Sequence, residues 1–252
     1  MSISSAQLRA ILVEEVLPFW LSHGLDKKKG GFYTSLDSDG SLVDSDKSIW
    51  MQGRAVWMFA HAYRHVDSNP DWLSAAMSAA SFLLDYGKNE RGRLRFLVTE
   101  SGDPLRSRRY AYAEAFAALG LGELAAITHD ANLKAEAQSF AQVFYDHDGD
   151  TDHYPEKWCT NTRPSIALAP NMMALYLSQS LDSSCGCPGG QSLRDRAIEN
   201  LTLCAKPNAV YEIVAPDGRP IPSFDGRTLN PGHALEASWF MMEEALRRTD
   251  EK

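Results

Sequence analysis

A histidine placed just inside a helix start is the first feature of this sequence that reads as chemistry: "NPGHALEASW", residues 230–239. Asn230 suits the N-cap and Pro231 the first helical position. His233 then falls in the first turn. There the positive end of the helix dipole disfavours a second positive charge and favours the neutral imidazole that a general base needs. Glu236 lies three residues on, on a neighbouring face. It could accept the proton of the other ring nitrogen or hold a substrate hydroxyl. A capping turn with His233 as a bystander is the bland alternative.

Arg54 is the second candidate. In "WMQGRAVW", residues 50–57, it sits among Trp50, Trp57 and Phe59 on an otherwise apolar helix. A buried guanidinium must find acceptors. It either closes an internal salt bridge or faces a cavity beside aromatics able to stack on sugar faces. "RRYAYAEAF", residues 108–116, adds Tyr110, Tyr112 and Glu114 at another helix start. Each tyrosine reads first as core with a satisfied hydroxyl. Arg227 lies in the glycine-containing loop just before the histidine turn.

No metal site is expected. His61 and His65 share a helix face at a spacing that can bind a metal, but no third ligand with suitable spacing is evident. His147 and His153 lie in "DHDGDTDH", which lacks the glutamate of a calcium-binding helix–loop–helix and reads as a solvated turn. The Cys185-Gly186-Cys187 pair reads as plain loop, and Cys159 and Cys204 complete no four-ligand set.

These groups must be positioned by helices. Helical periodicity covers about 5–23, 47–66, 70–87, 108–127, 131–146, 165–181, 191–205 and 231–248. Between them stand short alternating segments around glycine turns at Asp39-Gly40, Gly102, Asp148-Gly149 and Asp217-Gly218. The architecture repeats as two helices and a hairpin, with a loose period of about 45–70 residues. Such pairs bury their inner faces in an open solenoid or a closed ring, with the hairpins gathered at one end. The 252 residues, 44% hydrophobic, suffice for a substantial core. The net charge of −8 disfavours a nucleic-acid partner. No apolar run approaches a membrane span, no secretion signal opens the chain, and a cytoplasmic protein with reduced thiols is expected.

In order along the chain, "GGFYTSLDSDG", "WMQGRAVWMFAHAYR", "YAEAF", "AVYEIVAPDGRPI" and "GRTLNPGHALEASWFMMEEAL" resemble the N-acylglucosamine 2-epimerase family, which includes cellobiose 2-epimerases and mannose-type aldose–ketose isomerases. The resemblance implies an all-α fold, the (α/α)6-barrel toroid of helix hairpins with short β-hairpin loops. Residues 1–252 would form one such domain, without a cofactor, acting on a small sugar. It implies proton transfer beside the carbonyl of an open-chain sugar. Arg54 matches the arginine that stabilises the enediolate oxygen, His233 one of two acid/base histidines, and Glu236 the glutamate that accompanies it. Tyr112, Trp50, Trp57, Arg227 and Glu212 are expected substrate contacts.

About eight helices are legible, where the family has twelve, and no histidine follows His233 to serve as the family's second acid/base group. The expected toroid is therefore incomplete. Its open helix faces invite self-association, with a homodimer as the simplest form. With one base, isomerisation is easier than epimerisation, because inverting C2 requires proton delivery on the opposite face. Two other classes compete: a carbohydrate-binding or interaction module that has lost its chemistry, and a glycoside hydrolase using carboxylates such as Glu114, Glu212 and Glu236.

Overall fold

In a computed structural model, residues 3–107, 110–146 and 162–250 are described. The chain divides into two compact units, Met1–His147 and Asp148–Lys252. Among the described residues, no helix is long and apolar enough to cross a membrane.

The first unit opens with a helical run from α1 (Ser5–Ala10) through wider turns at Ile11–Val16, α2 (Leu17–Phe19) and Trp20–Gly24. Ser4 and Gln7 bond reciprocally to close its N-terminus. The hairpin β1 (Ser35–Leu36) and β2 (Leu42–Asp44) follows, and Gly40 takes φ 85° at its tip, the positive value that a tight turn requires. Strand β3 (Lys47–Ser48) feeds directly into α3 (Ile49–His65), whose first turn is capped by the Ser48 hydroxyl. Helix α4 (Pro70–Tyr86) starts from Asn69 and Pro70, as the sequence predicts. The hairpin β4 (Leu97–Val98) and β5 (Pro104–Arg106) pairs back onto β3 and turns at Gly102, φ 95°. Helices α5 (Tyr112–Thr128) and α6 (Ala131–Asp146) complete the unit.

Helix α5, apolar through most of its length, is buried on nearly every side, as a helix hydrophobic all round must be. It packs closely on α3 because two glycines meet there. A Cβ at Gly53 would lie 2.7 Å from the backbone of Phe116 and Ala117, and one at Gly120 would lie 2.7 Å from the Gly53 carbonyl. Beneath the hairpins, the fully buried Lys47 pairs with Asp26 at 2.7 Å and donates to the carbonyls of Gly30 and Glu100. One lysine thus ties the turn at residues 26–31 and the β4–β5 hairpin to the start of α3.

The second unit repeats the device. Strand β6 (Ile166–Ala167) feeds α7 (Leu168–Ser184), and α8 (Gly190–Cys204) leads into the hairpin β7 (Ala205–Lys206) and β8 (Ala209–Val210). Strand β9 (Ile213–Val214) pairs antiparallel with β6, and Gly218 takes φ 79° in the following turn. A 3-10 turn at Asp225–Arg227 precedes α9 (Pro231–Asp250). Leu168, Leu175, Leu201, Cys204, Val214 and Phe240 are among the residues of the core. Gln179 and Arg194 both bond the buried Glu244, locking α7 and α8 to α9.

The helices lie where the periodicity puts them, within a few residues. Of the sequence features, the Asp148-Gly149 turn, His147, His153 and Cys159 lie outside the described residues.

Candidate active site

Residue His233 is held as the sequence leads one to expect. The Asn230 carboxamide oxygen accepts from the backbone N–H groups of Gly232 (3.1 Å) and His233 (3.3 Å), so the N-cap is formed and the imidazole sits in the first turn of α9. Its carboxylate partner is not the expected one. Nδ1 lies 3.0 Å from both carboxylate oxygens of Glu212, which sits at the entrance to β9. Glu236 is exposed, and no bond joins it to His233. The reason is geometric. A helical side chain three residues on projects from the outer surface of its own helix, whereas the β9 backbone is fixed by β6 and by the Leu168 N–H to Glu212 carbonyl bond of 2.8 Å. That anchoring aims Glu212 at the helix start. In the tautomer with Nδ1 protonated, that N–H donates to the carboxylate, and Nε2 keeps its lone pair for a reacting group. Nε2 has no hydrogen-bond partner among the described residues, and the side chain is one-third exposed.

Arg54 is exposed on α3, with its guanidinium 4.7 Å from the centre of the Phe116 ring. Among the described residues no carboxylate pairs with it, so none of them closes the internal salt bridge weighed from the sequence. Phe116 stacks on Trp50 at 5.5 Å, and Trp50 stacks on Tyr112 at 5.6 Å. Arg54, Phe116, Trp50 and Tyr112 therefore form one continuous ladder across the N-terminal ends of α3 and α5. A cavity of about 270 Å³ opens beside it, lined by Trp50, Phe96, Tyr110 and Tyr112 with Arg95 at its wall.

Not all the expected contacts gather in these places. Trp57 is two turns along α3 from Trp50 and stacks on His61 at 4.9 Å. Arg227 is exposed in the turn before α9. Glu114 is fully buried, bonding Arg93 at 2.6 Å and the Leu94 N–H at 3.0 Å. It is a core residue and is withdrawn as a hydrolytic carboxylate. The sequence missed Phe116 altogether, although its position one turn after Tyr112 on α5 was a usable signal.

A family model, N-acylglucosamine 2-epimerase, matches residues 31–179. The N-acylglucosamine 2-epimerase of Bos taurus is 32% identical over 254 residues, a match covering 95% of this chain and 59% of that protein. The cellobiose 2-epimerase structure from Spirochaeta thermophila DSM 6192 superposes with a TM-score of 0.76 at 23% identity, covering 94% of this chain and 63% of that one. A D-mannose isomerase structure gives 0.73 at 21% identity, with coverage of 97% and 66%. These likenesses establish the all-α helix-hairpin fold of the (α/α)6-barrel type. This chain spans about three-fifths of the length of the curated epimerases it matches. On the family match, extending over more than half its residues, the chain belongs to the N-acylglucosamine 2-epimerase family.

Proposed function

We propose that this chain carries the machinery of a sugar 2-epimerase or aldose–ketose isomerase, with His233 as the proton-transferring base. The observation that carries the proposal is the Glu212–His233 pair at 3.0 Å, with Nε2 left unbonded among the described residues. In this reading the sugar binds in its open-chain form. Nε2 removes the proton from C2, which the adjacent carbonyl acidifies, and an enediolate forms. Arg54, by its match to the family arginine, steadies the enediolate oxygen with its fixed positive charge. Returning the proton to C2 on the opposite face gives the epimer. Delivering it to C1 gives the ketose, and one base suffices for that. Glu212 holds the ring orientation and stabilises the imidazolium that exists between the two transfers, the part a carboxylate plays behind any histidine base. Glu236 is then free for a substrate hydroxyl.

A second reading has its own support. The Tyr112–Trp50–Phe116 ladder beside a cavity is a stacking platform of the kind that binds sugar faces with or without turnover. Product analysis separates the two. The chain is incubated with mannose, glucose, N-acetylmannosamine or cellobiose, and the epimer and ketose are resolved chromatographically. Product formed by the wild type and absent with His233→Asn supports the isomerase. Saturable binding of a sugar without product, unchanged by His233→Asn, supports the binding module.

A further inference from the structure

The His61–His65 pair is met by a third ligand that the sequence does not reveal. Both imidazoles project from one face of α3, four residues apart, and Glu123 reaches them from α5. The candidate ligand atoms all lie within 4.8 Å of one another. His61 Nδ1 is 3.4 Å from one Glu123 oxygen, and His65 Nε2 is 3.8 Å from the other. Ligands at about 2.0–2.1 Å around a tetrahedral zinc ion stand roughly 3.3 Å apart. Small side-chain rotations would bring the three atoms onto one ion.

A second observation points the same way. His61 Nδ1 is buried and makes no hydrogen bond among the described residues, although it faces a carboxylate that is itself almost wholly buried. Trp57 stacks on the His61 ring at 4.9 Å, and His65 lies against its other side with ring centres 4.3 Å apart, so the ring is fixed in this attitude. A ring nitrogen held toward a carboxylate at that distance is an arrangement that a shared cation satisfies.

We infer that His61, His65 and Glu123 form a binding site for one divalent cation of the zinc class. Two imidazoles and one carboxylate suit zinc, cobalt or nickel, whereas magnesium and calcium call for all-oxygen shells. The histidine side chains are 40% and 45% exposed, which leaves water a way to the remaining position. Arg64 opposes the ion by pairing with Glu123 Oε2 at 3.1 Å. It is compatible with metal bound through the other oxygen, where the guanidinium would orient the carboxylate from behind. The site is separate from the aromatic ladder, because His61 is seven residues beyond Arg54, about 10 Å along the helix axis.

The test is titration of the whole chain with cobalt(II), followed by its visible d–d bands, then displacement with zinc. One cobalt per chain is expected, displaced by zinc, with zinc also raising the Tm. His61→Gln and His65→Gln, each shown by circular dichroism to be folded, should each lose roughly tenfold or more in affinity. His233→Asn should bind as the wild type does. Absence of d–d bands, or unchanged stoichiometry and affinity in both glutamine variants, would overturn the site. In the latter case the ion sits on other histidines.

Discussion

The carboxylate beside His233 belongs to the residue just before β9, and that changes what each glutamate should do. Glu212→Gln keeps the shape of the side chain but presents an amide that can donate to Nδ1 and so favour the wrong tautomer. It is expected to lower kcat by at least roughly tenfold with little change in KM. The nitrogen-15 shifts of the His233 ring should show the tautomer change directly. Glu236→Gln should leave those shifts unmoved and act through KM. Equal effects of the two substitutions on the ring would return Glu236 to the role first read from the sequence. That role was inferred from spacing along one helix. Spacing reports neighbours on the same element and cannot report a residue 21 positions upstream that strand pairing delivers. The histidine, its cap and the helix start were legible because they are local.

Each unit holds a local device that can be tested alone. In α9 it is the Asn230 cap, and Asn230→Ala should cost about 1 kcal/mol of stability, measured by urea denaturation. Activity should fall further than stability, because the cap also sets the position of His233. In α3 and α5 it is the glycine contact. Gly53→Ala drives a methyl group into the backbone of Phe116 and Ala117 and should destabilise the first unit by about 1–3 kcal/mol or more. It should also open the ladder that Trp50 and Phe116 share. A variant as stable as the wild type would show that α3 and α5 can separate at no cost. Periodicity placed these helices well, since it is a property of each segment. It said nothing of which two would approach most closely, and both glycines carry φ values any residue could adopt.

At the scale of the molecule, the fold class was readable from the alternation of helix pairs and hairpins, while the buried charges were not. Lys47 and Asp26 look like surface residues in sequence, yet both are buried and join the turn at residues 26–31 and the β4–β5 hairpin to the start of α3. Burial pushes the Asp26 carboxyl up, but bonds from Lys47 and from the backbone of Lys28 and Lys29 outweigh it and hold the group below its ordinary 3.8. A carboxylate lowered on folding stabilises fully above its unfolded value and loses that contribution as pH falls through the folded one. Acid should therefore loosen the first unit, and Asp26→Ala should reproduce the loss at neutral pH, at about 3–5 kcal/mol, by stranding the lysine. On α9, Leu235, Trp239, Met242 and Leu246 form an exposed apolar stripe. Concentration-dependent association is expected from it, weakened by Met242→Glu and Leu246→Glu in light scattering.

Removal by His233 of a proton from the carbon beside a sugar carbonyl can be read by hydrogen exchange, which requires no net product. The chain is placed with mannose, glucose, N-acetylmannosamine or cellobiose in deuterated water, and the C2 proton is followed by NMR. The C2 signal of at least one sugar is expected to disappear in the presence of wild-type protein, more slowly with Glu212→Gln, and not at all with His233→Asn. Persistence of the C2 proton in every sugar, or exchange that survives His233→Asn, would contradict proton removal by His233.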